Sequence, residues 1–257
     1  MGKIIGIVNQ KGGVGKTTCS VNLSASVGHA GKKVLLIDID PQGNASSGLG
    51  INKRGISASI YDLLIGQKQA DEVILHTAFE NVDIIPSHIQ LAGAEIELVE
   101  MDNRQNRLKE ALVRVREQYD YIFIDCPPSL GLLTLNSLCA SDTFLVPIQC
   151  EYYALEGLSQ LMATVRQVKR LYNPNIDLEG VILTMYDGRL NLTTQVVQEV
   201  KRFFPRKVYK TVIPRAVRIS EAPSYGQPVL YFDKHSKGAK AYEELAQEFI
   251  RNNAVQV

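Results

Sequence analysis

The sequence predicts a doubly wound α/β domain, a mostly parallel sheet with helices on both faces. Three observations carry that expectation. Short β-branched runs, apolar at successive positions, alternate along the chain with longer segments of helical periodicity. The 257 residues, 45% hydrophobic and 21% charged, suffice for one large core and exclude a disordered or fibrous chain. A glycine-rich loop separates the first strand-like run from the first helical one.

The elements follow in order. A strand is predicted at 4–8, then the loop 9–15 and a helix at 16–29. Strands at 34–37 and 82–85 precede a helix at 105–117, and a strand at 121–124 precedes a helix at 132–140. Beyond them come a strand at 144–148, a helix at 156–171, a strand at 181–183, a helix at 192–203 and a strand at 208–213. The last helix, 238–251, sets Ala239, Tyr242, Leu245, Ala246, Phe249 and Ile250 at helical spacing. With no repeat and no linker-like break, one domain over 1–257 is expected, without an N-terminal helix-turn-helix extension. No apolar run approaches the ~18 residues of a membrane span. The start lacks an export signal, and Gly6 stands where myristoylation needs Ser or Thr. Cys19, Cys126, Cys139 and Cys150 fit no CxxC or zinc spacing and read as buried thiols.

The loop carries the clearest chemistry. Gly12, Gly13 and Gly15 let the backbone curl so that its N–H groups point at phosphate oxygens, with Val14 between them and Thr18 behind. The following helix adds its positive end. Lys16 can reach the β- and γ-phosphates, and the Thr17 hydroxyl can ligate Mg²⁺. Gln10 replaces the first glycine of the standard GxxxxGK[ST] pattern, and a second lysine stands at Lys11. Two apolar strands end in carboxylates, one at Asp38 and Asp40, the other at Asp125, on the side where such sheets bind ligands. Asp125 suits a Mg²⁺-bound water or Thr17 as its partner. Pro127 and Pro128 stiffen the turn behind it. No NKxD box points to guanine.

KGGVGKTT at 11–18 resembles the deviant Walker A box of the ParA/MinD superfamily, and DIDPQGN at 38–44 its switch I. IFIDCPPSLG at 122–131 resembles its Walker B strand and switch II, and IPRAVRISEAPSYGQP at 213–228 the chromosome-partitioning ParA/Soj branch. The resemblance runs from Lys3 to the last helix and implies a P-loop fold of the SIMIBI type binding ATP and Mg²⁺. It implies that Lys11 reaches the partner's ATP in a nucleotide-sandwich homodimer and that Asp40 orients the attacking water. Asp38 helps hold the Mg²⁺ shell, and Met185, Pro214 and Arg215 lie by the base. Hydrolysis is then weak alone and stimulated by a ParB/Spo0J-like centromere-binding protein, in a cytoplasmic, nucleoid-associated protein.

Charge is unevenly spread. Residues 1–128 carry 13 basic and 15 acidic side chains, whereas 189–257 carry 12 and 6. Seven basic and no acidic residues lie between Lys201 and Arg218. Such a surface suits salt-sensitive, non-specific DNA binding through phosphates. The resemblance makes Arg189 and Arg218 the first candidates for DNA contact, followed by Lys201, Lys207, Lys237 and Lys240. Two other readings share the phosphate chemistry. A MinD-like membrane-cycling ATPase needs an amphipathic C-terminal helix; Glu243, Glu244 and Glu248 and the tail 252–257 argue against stable membrane association. A metabolic P-loop ATPase needs a cluster-bridging cysteine pair or a substrate constellation, and neither is evident.

Overall fold

Strands Lys3–Ile7 (β1), Val34–Asp38 (β2), Leu75–His76 (β3), Val82–Ile85 (β4), Tyr121–Asp125 (β5), Thr143–Gln149 (β6) and Asp177–Thr184 (β7) form one sheet in the computed structural model, which describes residues 2–151 and 154–254. Their order is β3-β4-β2-β5-β1-β6-β7. All neighbours are parallel except β3, a two-residue edge strand antiparallel to β4. β5 lies in the middle between β2 and β1; the chain runs from β1 out to β3 and β4, returns through β5, and continues past β1 to β6 and β7, as doubly wound sheets do.

The helices are Lys16–His29 (α1), Asn44–Gly48 (α2), Ile60–Ile65 (α3), Ala70–Val73 (α4), Leu91–Val99 (α5) and Arg107–Leu112 (α6). Leu132–Ala140 (α7), Ala154–Leu171 (α8), Asn191–Phe203 (α9), Val217–Glu221 (α10), Val229–Phe232 (α11) and Lys237–Ala254 (α12) complete them. Strand alternation divides the core. Ile4, Ile122 and Ile124 pack with Leu98, Leu108, Leu138 and Leu161 from α5 to α8. Ile5, Ile7 and Phe123 pack on the other face with Leu23 and Val27 of α1 and with Tyr242 and Phe249 of α12. Each such side chain contributes roughly 1.5–3 kcal/mol of burial. α1 is covered on all sides: even Ser20 and Ser24 are fully buried.

Three sequence expectations are corrected. Residues 208–213 are not a strand. The segment touches β7 through one isolated bridge, Val181 with Val208, and a second, Tyr186 with Pro214, lies just past the end of both. Tyr209 N–H donates to Val181 O and Ile213 N–H to Leu183 O, so four residues advance against two of β7. The excess bulges out because buried Glu248 on α12 takes the amides of Lys210 (2.7 Å) and Thr211 (2.9 Å) away from the sheet. The predicted helix 105–117 is only Arg107–Leu112 with a separate turn at Arg116–Gln118. Its start is set from α7, where Asn136 Oδ1 accepts the Leu108 N–H at 3.2 Å. Glu248, counted with Glu243 and Glu244 as a charge against membrane association, is buried instead, its carboxylate gripping the 210–211 backbone. Of the tail 252–257, residues 255–257 lie outside the described residues.

The short elements β3, α2 to α4, α10 and α11 escaped the periodicity reading because each is too brief to show a period, and α5, as long as α7, because exposed Ile96 and Val99 blur its buried face of Leu91, Ala94 and Leu98. α3 is legible only through its cap, the reciprocal Ser59–Asp62 capping box.

Candidate nucleotide site

Register brings the sequence-predicted groups together. Ile7 of β1 pairs with Asp125 of β5, which pairs with Asp38 of β2, so three adjacent strands end level at the sheet's carboxyl edge. The glycine loop rises from the first of them. Asn9 fixes its base, with Nδ2 donating to Pro147 O at 2.7 Å and Oδ1 accepting Lys11 N–H at 2.9 Å. From the far side Thr184 Oγ1 donates to Val14 O at 2.8 Å. Gly13 (φ 74°) and Gly15 (φ 88°) hold left-handed conformations that a side chain would strain by ~1–2 kcal/mol. Gly15 also occupies the cap of the 14-residue helix α1 without any side-chain cap bond. The helix's first amides therefore keep their capacity for an anion.

Lys16 is 93% buried, its Nζ donating to Lys11 O at 3.1 Å. Burial holds its pKa below the ordinary lysine value, opposed first by Asp125 and then by Cys126 and Asp40. Asp125 is fully buried; burial and then the Asp38 charge push its carboxyl up to about 7, against hydroxyl hydrogen bonds from Ser20 and Thr17. Its Oδ1 accepts from Ser20 Oγ at 2.7 Å, while its Oδ2 is buried without a hydrogen-bond partner. Asp38, also fully buried, is pushed up to about 6 chiefly by burial. Two adjacent carboxyls held this way, one with an orphaned oxygen beside Thr17 and Lys16, fit a divalent cation. Among the described residues no three His, Cys, Asp or Glu side chains form a cage. Mg²⁺ takes few protein ligands and completes its shell with phosphate and water.

The three candidate cation ligands are not equivalent. Asp38 Oδ2 is occupied by the N–H and Oγ of Ser46, both at 2.7 Å, and its Oδ1 accepts Asp40 N–H at 3.3 Å. Asp38 thus anchors α2, and Asp125 with Thr17 is better placed for the ion. Asp40 has Oδ1 on the Gln42 N–H at 2.9 Å. Lys11 does not turn toward Lys16. Its Nζ lies 3.3 Å from Glu151 Oε2, with the lysine side chain one-third and the glutamate side chain one-half exposed.

Beside the loop opens a cleft of about 300 Å³ lined by Gly15, Thr18, Met185, Pro214 and Arg215 and floored by Tyr242. It joins the loop to the late segment predicted to lie by the base. Tyr186 N–H donates to Ile213 O at 2.9 Å, and Met185 holds φ 50°, a costly conformation for an unbranched L-residue and one concentrated at ligand sites.

The predicted DNA-contact residues are dispersed. Arg189 has an 88% exposed side chain, yet its Nε and Nη2 both lie on the Asp187 carboxylate, at 2.8 and 2.6 Å. That pair holds the Asp187 carboxyl down at about 2. Arg218 pairs with Glu221 at 2.9 Å and Asp233 at 3.3 Å and lies over the Phe232 ring. Lys207 pairs with Asp177, the first residue of β7, at the opposite end of that strand from Arg189. Lys201, Lys237 and Lys240 are exposed and enter no recorded ion pair among the described residues. The four cysteines are free and buried, and burial pushes the Cys19 and Cys126 thiols up to about 12.

Sequence reasoning missed Asn9, Ser20, Ser46, Ser87 and Thr184. Only Ser20 had a usable signal, lying four residues after Lys16 on the same helix face.

A family model described as an AAA domain matches residues 2–178. The sporulation initiation inhibitor protein Soj of Bacillus subtilis (strain 168) is 60% identical over 252 residues, 98% of this chain and 100% of that protein. The chromosome partitioning protein ParA of Myxococcus xanthus (strain DK1622) is 50% identical over 253 residues, 98% of this chain and 89% of that one. Among solved structures, cobyrinic acid a,c-diamide synthase from Mycobacterium smegmatis with bound ADP and magnesium superposes with a TM-score of 0.88 at 34% identity, covering 100% of this chain and 97% of that one.

Proposed function

The chain belongs to the ParA/MinD superfamily of P-loop ATPases, in its chromosome-partitioning ParA/Soj branch, and on that premise we propose that it is a nucleotide-switched, DNA-bound partitioning ATPase. It binds ATP with Mg²⁺, pairs face to face with a second copy, binds DNA without sequence preference, and hydrolyses ATP when a ParB-like protein stimulates it. The observation that carries the nucleotide part is the orphaned Asp125 Oδ2, buried beside Thr17 and Lys16 at the open N-terminus of α1.

The chain's own groups divide the work. The loop amides and Lys16 hold the β- and γ-phosphates, and Thr17 and Asp125 hold Mg²⁺, which neutralises charge on the phosphate oxygens. Asp40 orients water for attack on the γ-phosphorus; the leaving oxygen stays on ADP. Lys11, whose ammonium meets half-exposed Glu151 among the described residues, can exchange that carboxylate for the phosphates of a second copy's nucleotide. A cation supplied in trans makes the pair stable only while the γ-phosphate is present. Pairing doubles a weak set of phosphate contacts, so DNA affinity follows the nucleotide. The reading places the protein in the cytoplasm on the nucleoid, with no stable membrane association; no helix of the described residues is long and apolar enough to cross a membrane.

DNA co-sedimentation across a salt series with ADP, ATP or no nucleotide tests this, combined with sedimentation velocity. Lys16→Ala loses nucleotide and DNA, Asp40→Ala stays paired and DNA-bound with ATP, and Arg189→Ala pairs but releases DNA. Lys16→Ala sedimenting with DNA like the parent would refute the coupling. Turnover stimulated by a small carboxylic acid, and not by DNA, would favour a metabolic ATPase instead.

A further inference from the structure

We infer that Ser87, in the loop between β4 and α5, is a positioning residue for Asp40, acting through a closed ring of buried hydrogen bonds with Ser46 and Asp38. The inference rests on the reading of Asp40 as the residue that orients water. Asp40 is held by its backbone on both sides. Its N–H donates to Asp38 Oδ1 at 3.3 Å, and its C=O accepts Ser87 Oγ at 2.6 Å. The ring closes behind it: Ser87 N–H donates to Ser46 Oγ at 3.0 Å, and Ser46 Oγ donates to Asp38 Oδ2 at 2.7 Å. Asp38, Ser46 and Ser87 are fully buried and Asp40 is 7% exposed, so water does not compete for these bonds.

A second feature brackets the same turn. Gly43 N–H also donates to Asp40 O at 2.9 Å, and Gly43 adopts φ 62°. A Cβ there would stand 3.2 Å from Ser87 O, so the turn after Asp40 is pressed against Ser87 through both its hydroxyl and its carbonyl. With the peptide groups on either side of Asp40 fixed, only its χ angles remain to aim the carboxylate. Oδ1 is already committed to the Gln42 N–H, and Oδ2 takes no hydrogen bond among the described residues. The Ser87 hydroxyl makes no bond toward the phosphate loop or Lys16. Its removal therefore loosens the aim of Asp40 and spares the groups that hold nucleotide.

A misplacement of about 1 Å costs on the order of 100-fold in rate. Single-turnover hydrolysis of ATP with Mg²⁺ and duplex DNA is measured for the parent, Ser87→Ala, Asp40→Ala and the double variant, alongside equilibrium titration with a fluorescent ATP analogue. Ser87→Ala is expected to hydrolyse about 10–100-fold more slowly than the parent, with nucleotide affinity changed less than about threefold. The double variant is expected to be no slower than Asp40→Ala. Ser46→Ala, which opens the ring on its far side, should show the same split of rate from affinity, and it decides the matter if Ser87→Ala fails to fold. The inference is overturned if Ser87→Ala matches the parent while Asp40→Ala is slow, if rate and affinity fall together, or if the two losses add. Should Asp40→Ala itself hydrolyse like the parent, the role given to Asp40 fails, which is a different result.

Discussion

Truncation of Glu248 probes a place where a side chain overrules the sheet. Its two oxygens accept the Lys210 and Thr211 amides at 2.7 and 2.9 Å, and the residue is 9% exposed. Hydrogen bonds to a charged group are each worth about 1.5–3 kcal/mol, so Glu248→Ala forfeits roughly 3–6 kcal/mol if both amides stay dry. Lys210 is at the surface, and water satisfying its amide brings the expectation to about 3 kcal/mol. For a domain of this size that is a fall in Tm of about 6–12 °C. Glu244, exposed one turn earlier on α12, is the control, and Glu244→Ala should stay within about 0.5 kcal/mol of the parent. A second consequence is local. Freed from Glu248, residues 208–213 can zip onto β7 as a regular strand, which displaces Pro214 and Arg215 from the cleft wall. Nucleotide affinity should then fall while Mg²⁺ dependence persists. Differential scanning calorimetry and nucleotide titration read the two effects. A Glu248→Ala protein melting within about 2 °C of Glu244→Ala would show that the carboxylate does not hold this segment.

Acidity provides an independent test of the carboxylate pair. In cation-free protein Asp125 binds its proton more tightly than the unfolded chain does, with a pKa of about 7 against an ordinary 3.8. Its contribution to stability is therefore full below about pH 4 and is lost as pH climbs through about 7. Asp125→Asn should flatten the parent's loss of Tm between pH 5 and 8 and abolish the Mg²⁺ response; an unchanged slope would contradict the burial argument. Asp187→Asn, which releases Arg189 from its carboxylate clasp, should tighten DNA binding about two- to fivefold at low salt, an effect that vanishes near 1 M salt. Weaker binding in a salt titration would mean Asp187 orders Arg189 for DNA. Glycine position decides the last case. A Cβ at Gly226 (φ 63°) would lie 2.8 Å from Gly50 Cα, so Gly226→Ala should cost about 2–4 kcal/mol in denaturant melts. Gly12 has nothing within 4 Å, so Gly12→Ala should fold like the parent and lose only nucleotide affinity.

Much of the architecture was legible because β-branched apolar runs alternate with helical segments and are bounded by turn residues. α1 and α7 fall on their predicted bounds, 16–29 and 132–140, and every parallel strand except the spurious one at 208–213 is present. The phosphate loop, Asp38, Asp40 and Asp125 were legible because their chemistry depends on short spacings. The charge of 189–257 was legible as a count, but the ion pairs of Arg189, Arg218 and Lys207 were not. The partners Asp187 and Glu221 are near in sequence; Asp177 and Asp233 lie 30 and 15 residues away.

By itself, then, the order of residues determined the alternation of strands and helices, the glycine turn and the carboxylates at two strand ends, since each depends on neighbours within a few positions. Tertiary structure alone decided that Asp38 and Asp125 stand side by side, that Asp38 anchors α2 while Asp125 keeps an open oxygen, and that Glu248 breaks a β-ready segment. Asp38 and Asp125 are 87 positions apart and Glu248 is 37 to 38 from the amides it takes, and even Ser46, eight residues from Asp38, meets it only once both are buried; no local pattern records those meetings.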